Sequence, residues 1–142
     1  MIRAVIDTNV IVASLIHPSG TTGTILSRLR DGAFTIVLSP ALLDEIAAVM
    51  SYPKIRDKYG IRGSDLEIIA GLFALRGQMA APTEAIHVCR DPDDDILLEA
   101  AVAGGAKYIV SEDVDLLAIR RFRTIRIVKP AAFLAILDKA GR

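Results

Sequence analysis

The stretch Ala4-Val5-Ile6-Asp7-Thr8-Asn9, residues 4–9, decides the fold and introduces the first polar group of interest. Ala4 to Ile6 are apolar at every position, which is typical of a strand buried on both faces in a parallel sheet covered by helices. Asp7 follows directly, at the carboxyl end of that predicted strand, where open α/β sheets bind their ligands. A carboxylate at this place needs a positive partner, because burying an unpaired charge is costly.

Outward from this stretch, strands and helices alternate along the whole chain. Further strands are predicted over residues 34–38, 85–89, 107–110 and 124–128. Helices are predicted over residues 10–16, 21–29, 40–50, 64–76, 91–103, 116–119 and from 130 onwards, with a short helical turn over 53–60. Ser39-Pro40 is a helix-start signal, and Ser64 to Glu67 has the pattern of a capping box. We therefore expect residues 1–142 to form a single α/β domain, a three-layer α/β/α sandwich with a central parallel sheet.

Composition excludes several classes of protein. Hydrophobic residues make up 52% of the 142 positions, which is ample for one core and too many for a disordered chain. No apolar run approaches the ~20 residues that span a bilayer, and Cys89 is the only cysteine, so we expect no membrane segment, no internal disulfide and a cytoplasmic location. Net charge is zero, but 8 basic and 4 acidic residues lie from Gly104 onwards, so that region carries +4 and residues 1–103 carry −4. Such asymmetry suits an acidic centre beside a polyanion-binding flank, although ordinary solvated arginines would explain it equally well.

Four acids occupy comparable places: Asp7 after the first strand, Glu45 in the helix after the second, Asp95 in the helix after Cys89, and Asp113 after the strand over 107–110. In a parallel sheet these ends share one edge, so we expect the four side chains to meet. Two carboxylates ~4 Å apart repel by roughly 4 kcal/mol at an effective dielectric near 20, so a cluster needs a cation. Oxygen ligands select hard ions such as Mg²⁺ or Mn²⁺, which can serve phosphodiester hydrolysis.

Each acid also has an ordinary structural explanation. Asp7 could cap the first helix, Glu45 could face solvent, and Asp113 and Asp115 could be turn residues. The run Asp93-Asp94-Asp95 opens a helix, where the dipole favours negative charge. The common register of four acids with the strand ends is what favours a metal site.

The motifs together resemble the PIN-domain nucleases. They are Val5 to Asn9, Ser39-Pro40 with Asp44-Glu45, Asp91-Pro92-Asp93-Asp94-Asp95 with Ala100-Ala101, and Ser111 to Leu116. More narrowly, the chain resembles a bacterial branch of PIN domains, the presumed toxin components that are relatives of the VapC toxins. The resemblance implies the α/β/α fold, Mg²⁺- or Mn²⁺-dependent hydrolysis of RNA, homodimers and an antitoxin that blocks the acidic pocket.

By position, the resemblance makes Asp7, Glu45, Asp95 and Asp113 the catalytic acids, with Asp7, Asp95 and Asp113 as metal ligands and Glu45 orienting the attacking water. Asp93 or Asp94 could replace Asp95. Supporting hydrogen-bonding groups are Thr8, Asn9 and Ser111, which would hold Asp7 and the incoming phosphate, and Asp115 as an accessory acid.

RNA contacts or burial can be predicted for several residues outside the acidic motifs. The basic residues Arg120, Arg121, Arg123 and Lys129 are candidates for holding the RNA backbone because they cluster in the sequence. We expect His17 at the surface, and His87 and Cys89 in the core.

Two other functions fit the same pattern. An aspartyl phosphotransfer domain also has an aspartate after its first strand. It requires a lysine at the end of a late strand, whereas Lys107 lies at the start of one. A module that binds Mg²⁺ and a partner without catalysis is the alternative outside the enzymes.

Overall fold

The computed structural model describes residues 1–141, which form six strands and eight α-helices. The strands are β1 (Arg3–Ile6), β2 (Thr35–Leu38), β3 (Gly77–Met79), β4 (Tyr108–Val110), β5 (Arg121–Phe122) and β6 (Ile125–Val128). The helices are α1 (Thr8–Ile16), α2 (Thr21–Arg30), α3 (Pro40–Met50), α4 (Pro53–Tyr59), α5 (Gly63–Arg76), α6 (Asp95–Gly104), α7 (Val114–Ile119) and α8 (Pro130–Ala140). A single 3-10 turn, Pro92–Asp94, leads into α6.

One sheet with strand order β3-β2-β1-β4-β6-β5 forms the centre of the fold. All neighbouring strands are parallel except β5, which pairs antiparallel with β6. The predicted parallel sheet is therefore confirmed, with one short antiparallel edge strand added. Because β1 and β4 lie side by side, the residues that follow them, Asp7 and Ser111, emerge at the same edge.

Helices cover both faces of this sheet, as predicted. On one face, α6 packs so closely that a Cβ on Gly104 would lie 2.3 Å from Cγ1 of Val37. On the other face, Phe133 of α8 meets Phe34 edge to face, with ring centroids 5.0 Å apart. Within residues 1–141 no helix is both long enough and apolar enough to cross a bilayer.

The predicted strand over 85–89 is wrong, because side chains of α6 take the amides that a sheet ladder would need. Glu99 accepts a hydrogen bond from the amide of Ile86 at 2.9 Å. Asp95 accepts from the amides of Val88 and Cys89 at 3.1 and 2.8 Å. The segment is a loop anchored on α6, and the strand next to β2 is instead Gly77–Met79.

Smaller differences concern helix starts. The predicted capping box at Ser64 is wrong; helix α5 begins at Gly63, and Asp65 accepts a hydrogen bond from the amide of Arg62 at 2.8 Å. Helix α3 begins as predicted, with the Ser39 hydroxyl accepting from the amide of Leu42 at 3.2 Å and proline at the first position.

Candidate functional site

Asp7 is held at the carboxyl edge of the sheet by the neighbouring strand. Its amide donates to the carbonyl of Val110 at 2.9 Å, and the Ser111 hydroxyl donates to its Oδ2 at 2.7 Å. Asp7 is the residue before α1; its side chain forms no capping hydrogen bond, but the backbone amides of Asn9 and Thr8 in the first turn lower its pKa. Burial raises the pKa of Asp7, and the charge of Asp113 adds to the rise, although the Ser111 hydroxyl opposes it. A buried carboxylate whose ionised form is destabilised in this way is favoured by a nearby cation.

Glu45 is brought to the same edge by the third helix. Thr8 Oγ1 donates to Glu45 Oε2 at 3.0 Å. The sequence analysis had expected this hydroxyl to hold Asp7, but it holds Glu45. Burial raises the pKa of Glu45, and the charges of Asp7, Asp93 and Asp91 raise it further, against the Thr8 hydrogen bond. Glu45 therefore lies near these acids and is not an outward-pointing helix residue.

Asp113 joins the cluster through the turn after β4. Its amide donates to the Ser111 hydroxyl at 3.0 Å, and its Oδ1 caps α7 by accepting from the amides of Asp115 and Leu116 at 2.8 and 3.2 Å. Ser111 thus connects Asp7 to Asp113 through one hydroxyl. The structural role in capping and the predicted role as a ligand are compatible, since the capping bonds in the structure use one carboxylate oxygen.

Asp95 is positioned differently from the other three predicted acids. It is 6% exposed, and its Oδ1 accepts the two loop amides of Val88 and Cys89. Burial raises its pKa, but the hydrogen bonds from these amides and from the Cys89 thiol, together with the charge of His87, lower it below the ordinary value overall. Asp95 therefore anchors the loop over residues 86–89.

Asp94 interacts with the cluster instead. Burial raises its pKa to about 6, and the charges of Asp113, Asp7, Asp91 and Glu45 contribute in that order. The sequence showed that one of Asp93, Asp94 and Asp95 belongs to the site but left the choice among them open. The backbone of the 3-10 turn decides which of the three side chains turns towards the other acids. The charge of Asp113 raises the pKa of Asp7, that of Asp7 raises the pKa of Glu45, and all three raise the pKa of Asp94, so these four acids share one acidic region.

Within residues 1–141 no Lys or Arg forms an ion pair with the acidic cluster, by which we mean Asp7, Glu45, Asp94 and Asp113. Within residues 1–141 the ion pairs are Arg28–Asp138, Arg30–Asp31 and Arg123–Glu84, all elsewhere. The same residues contain no three carboxylate, imidazole or thiol groups already close enough together to hold an ion. The donor set fits a hard divalent cation by its chemistry, since every group is a carboxylate.

The remaining predicted residues lie around the cluster. Asn9 and Asp115 are exposed, and Asp115 contributes its amide to Asp113. Arg120, Arg121 and Lys129 are exposed near the β5–β6 hairpin, whereas Arg123 is occupied by its ion pair with Glu84.

Among the minor predictions, the surface position of His17 is confirmed and the core position of His87 is wrong, because His87 lies on the exposed side of the loop. Cys89 packs partly buried against the core. Burial, Asp95 and the neighbouring acids raise the pKa of its thiol to about 12.

Three comparisons show which known proteins this chain is similar to. The family model described as PIN domain matches residues 3–115. The chain is 34% identical to the uncharacterized protein MJ1680 of Methanocaldococcus jannaschii over 119 residues, which is 84% of this chain and 76% of the relative. Its fold is similar to a chain in the crystal structure of VapBC2 from Rickettsia felis bound to a DNA fragment from their promoter. That match has a TM-score of 0.58 and 16% identity, and it covers 90% of this chain and 98% of the other.

Proposed function

This chain belongs to the PIN domain family, and from that membership and its uncompensated acidic cluster we propose that it is a metal-dependent endoribonuclease. PIN domains are generally nucleases, which supports hydrolysis of nucleic acid; RNA as the substrate and Mg²⁺ or Mn²⁺ as the ion are parts of the proposal. The observation that carries it is that the charges of Asp7, Glu45 and Asp113 act on one another and on Asp94, while none of the four forms an ion pair within residues 1–141.

The cation would be held by Asp7, Asp94 and Asp113, with Asp94 in the place that the sequence assigned to Asp95. A bound divalent cation supplies charge neutralisation at the phosphate oxygens and acidifies water. Among the chain's own groups, Ser111 fixes Asp7 Oδ2, and its hydroxyl also holds the turn that carries Asp113.

Glu45 is the group that we assign to the attacking water. Its raised pKa, caused first by burial, brings its basicity closer to the range useful to a general base at neutral pH. Thr8 fixes one oxygen of Glu45 at 3.0 Å, which leaves the other to orient the water and accept its proton in line with the scissile phosphodiester bond. No covalent intermediate is involved, because water is the nucleophile.

The test is cleavage of a labelled RNA by the purified protein with Mn²⁺, with and without EDTA. Asp7→Asn removes the charge at the centre of the cluster and should abolish cleavage while leaving the fold intact. Asp44→Asn is the matched control, because Asp44 is the exposed neighbour of Glu45 on α3. Cleavage that persists in EDTA, or is equal in the Asp7 variant and the wild type, would refute the assignment.

We further propose that the protein acts in the cytoplasm as the toxin of a toxin–antitoxin pair, as a homodimer with a cognate antitoxin protein. The support is the fold similarity to a chain of the VapBC2 structure. Expression should arrest growth and co-expression of the cognate partner should relieve the arrest. Harmless expression of a protein that cleaves RNA in vitro would contradict the toxin role alone.

A further inference from the structure

We propose that three arginines beside the last two strands of the sheet bind the phosphate backbone of the RNA next to the cleavage site. This inference rests on the proposed function. The three residues are Arg120, Arg121 and Arg126, which are all exposed and which we call the edge arginines. Arg121 and Arg126 lie on β5 and β6, the antiparallel pair at one edge of the sheet, and Arg120 directly precedes β5.

The edge arginines have no acid to balance their charge. Residues 116–137 contain five basic residues and no Asp or Glu. Arg123 lies in the same stretch, but its charge is balanced by an ion pair with Glu84. Within residues 1–141 no ion pair involves an edge arginine. Because the whole chain has a net charge of zero, this is a local concentration of positive charge, and such a field attracts a polyanion.

Two of the edge arginines stand directly opposite each other. Arg121 pairs in register with Arg126, so the two side chains leave the same face of the sheet. Like charges in this position destabilise a sheet. Arg126 also lies over the ring of Tyr108 on the next strand, with its guanidinium carbon 5.9 Å from the ring centroid. A phosphodiester group bound to this pair would remove the repulsion between the two guanidinium groups.

Arg120 adopts a backbone conformation that is costly for an arginine. It follows the last residue of α7 with φ 64° and ψ −51°, where glycine is favoured. Its amide donates to the carbonyl of Leu117 at 3.1 Å, and its carbonyl accepts from the amide of Ile127 at 2.9 Å. Neither bond involves the side chain, so glycine would form both without strain. An exposed arginine at such a position indicates a use for its side chain outside the fold.

Charged side chains at the edge of a sheet also have an ordinary role, which is to prevent pairing with another sheet. Strand β5 is only two residues long, so it offers little to a foreign strand. Lysine is the usual residue for that protective role, whereas the planar fork of arginine matches two oxygens of a phosphate group. The choice of arginine at all three positions therefore favours phosphate binding.

The edge arginines are connected to the acidic cluster by two short elements. Helix α7 has Asp113 as its cap and Arg120 directly after its last residue, and its six residues span roughly 9 Å. Strand β6 ends beside Ser111, whose amide donates to the carbonyl of Val128 at 3.0 Å. Arg126 lies two residues before Val128, roughly 7 Å along the strand. A strand of RNA with one phosphate at the cluster can therefore extend to the edge arginines.

The test measures RNA binding by the full chain in EDTA, so that metal-dependent cleavage is excluded. Fluorescence anisotropy of a labelled single-stranded oligoribonucleotide is followed over a range of salt concentrations for the wild type, Arg121→Gln, Arg126→Gln, Arg126→Lys and Arg120→Gly. Arg56→Gln is the matched control, because Arg56 is an exposed arginine of α4 that forms no ion pair within residues 1–141. Urea unfolding of each variant is measured in parallel.

We expect Arg121→Gln and Arg126→Gln each to weaken RNA binding about tenfold, the scale of one hydrogen bond between charged groups. Each should also reduce the salt slope by about 0.7, the contribution of one phosphate contact in a single strand. Arg126→Lys should weaken binding but leave the slope unchanged, because lysine keeps the charge and lacks the fork. Arg56→Gln should bind RNA as the wild type does.

Arg120→Gly separates RNA binding from folding. The variant should raise the urea midpoint of unfolding, because relief of the backbone strain outweighs the extra freedom of glycine in the unfolded chain. The same variant should weaken RNA binding, because it removes one positive charge. A loss of binding in a protein that has become more stable cannot be attributed to unfolding.

Three results would overturn the inference. These are binding by the Arg121 and Arg126 variants equal to that of Arg56→Gln, an Arg120→Gly protein that binds RNA as tightly as the wild type, or self-association of Arg121→Gln with unchanged RNA binding. The last result would mean that the arginines only protect the edge of the sheet. Failure of the proposed function has a different signature, since the wild type would then cleave no RNA with Mn²⁺ whatever these binding measurements show.

Discussion

Replacing Asp94 by Asn should stabilise the protein in EDTA, although it removes a proposed ligand. The pKa of Asp94 is raised to about 6 from an ordinary value of 3.8, mainly by burial and then by the charges of Asp113 and Asp7. At about 1.4 kcal/mol per pH unit, the ionised side chain costs at most ~3 kcal/mol of folding free energy above pH 6. Because the carboxylate is partly open to solvent, screening reduces this to about 1 kcal/mol. Asn has the same shape without the charge and avoids that cost.

The assay is urea unfolding in EDTA at several pH values. Because the folded pKa is raised, the penalty is full above about pH 6 and disappears as the pH falls towards 3.8, where the aspartate is protonated in both states. The advantage of Asp94→Asn should therefore be present at pH 7.5 and lost near pH 4, while Asp44→Asn stays within about 0.5 kcal/mol of the wild type at both. A variant less stable than the wild type at pH 7.5 would show that burial and the neighbouring acids do not destabilise the ionised Asp94 side chain.

Three further substitutions have expected outcomes. Asp95→Ala should lower the free energy of unfolding by about 2 kcal/mol and expose the loop over 86–89 to amide hydrogen exchange, because two amides lose a charged acceptor; unchanged exchange would contradict this. Ser111→Ala should cost about 1–3 kcal/mol in urea unfolding and raise the pKa of Asp7 further, seen by carboxyl NMR; an unaltered pKa would refute it. Gly104→Ala should destabilise by about 1–3 kcal/mol, since its Cβ would meet Val37 at 2.3 Å; an unchanged unfolding midpoint would argue against this packing.

Most strands and helices could be predicted because the residues that determine each one lie within it or next to it. The apolar run before Asp7 and the Ser39-Pro40 start each have a cause within a few residues, so they could be read without coordinates. The segment 85–89 could not. Its composition is that of a strand, but Asp95 and Glu99, distant by up to 13 positions, capture its amides.

The sequence predicted which motifs contribute acids to the cluster, but not which aspartate of the triplet does so or which carboxylate Thr8 contacts. Asp7 and Asp113 follow neighbouring strands, so topology alone brings them together. The choice between Asp94 and Asp95 depends on a 3-10 turn that directs one carboxylate to the cluster and the other to the loop. The partner of Thr8 depends likewise on how α1 and α3 pack, which no local pattern encodes.

The central claim is that Asp7, Asp94 and Asp113 hold a divalent cation beside Glu45, and Mn²⁺ titration followed by paramagnetic broadening of amide NMR signals tests it most directly. The account predicts that the signals of Asp7, Glu45, Asp94 and Asp113 broaden first and together, that Asp7→Asn removes this broadening, and that Asp44→Asn leaves it unchanged. Broadening that is spread over the surface, or that centres on acids outside this cluster, would contradict the account.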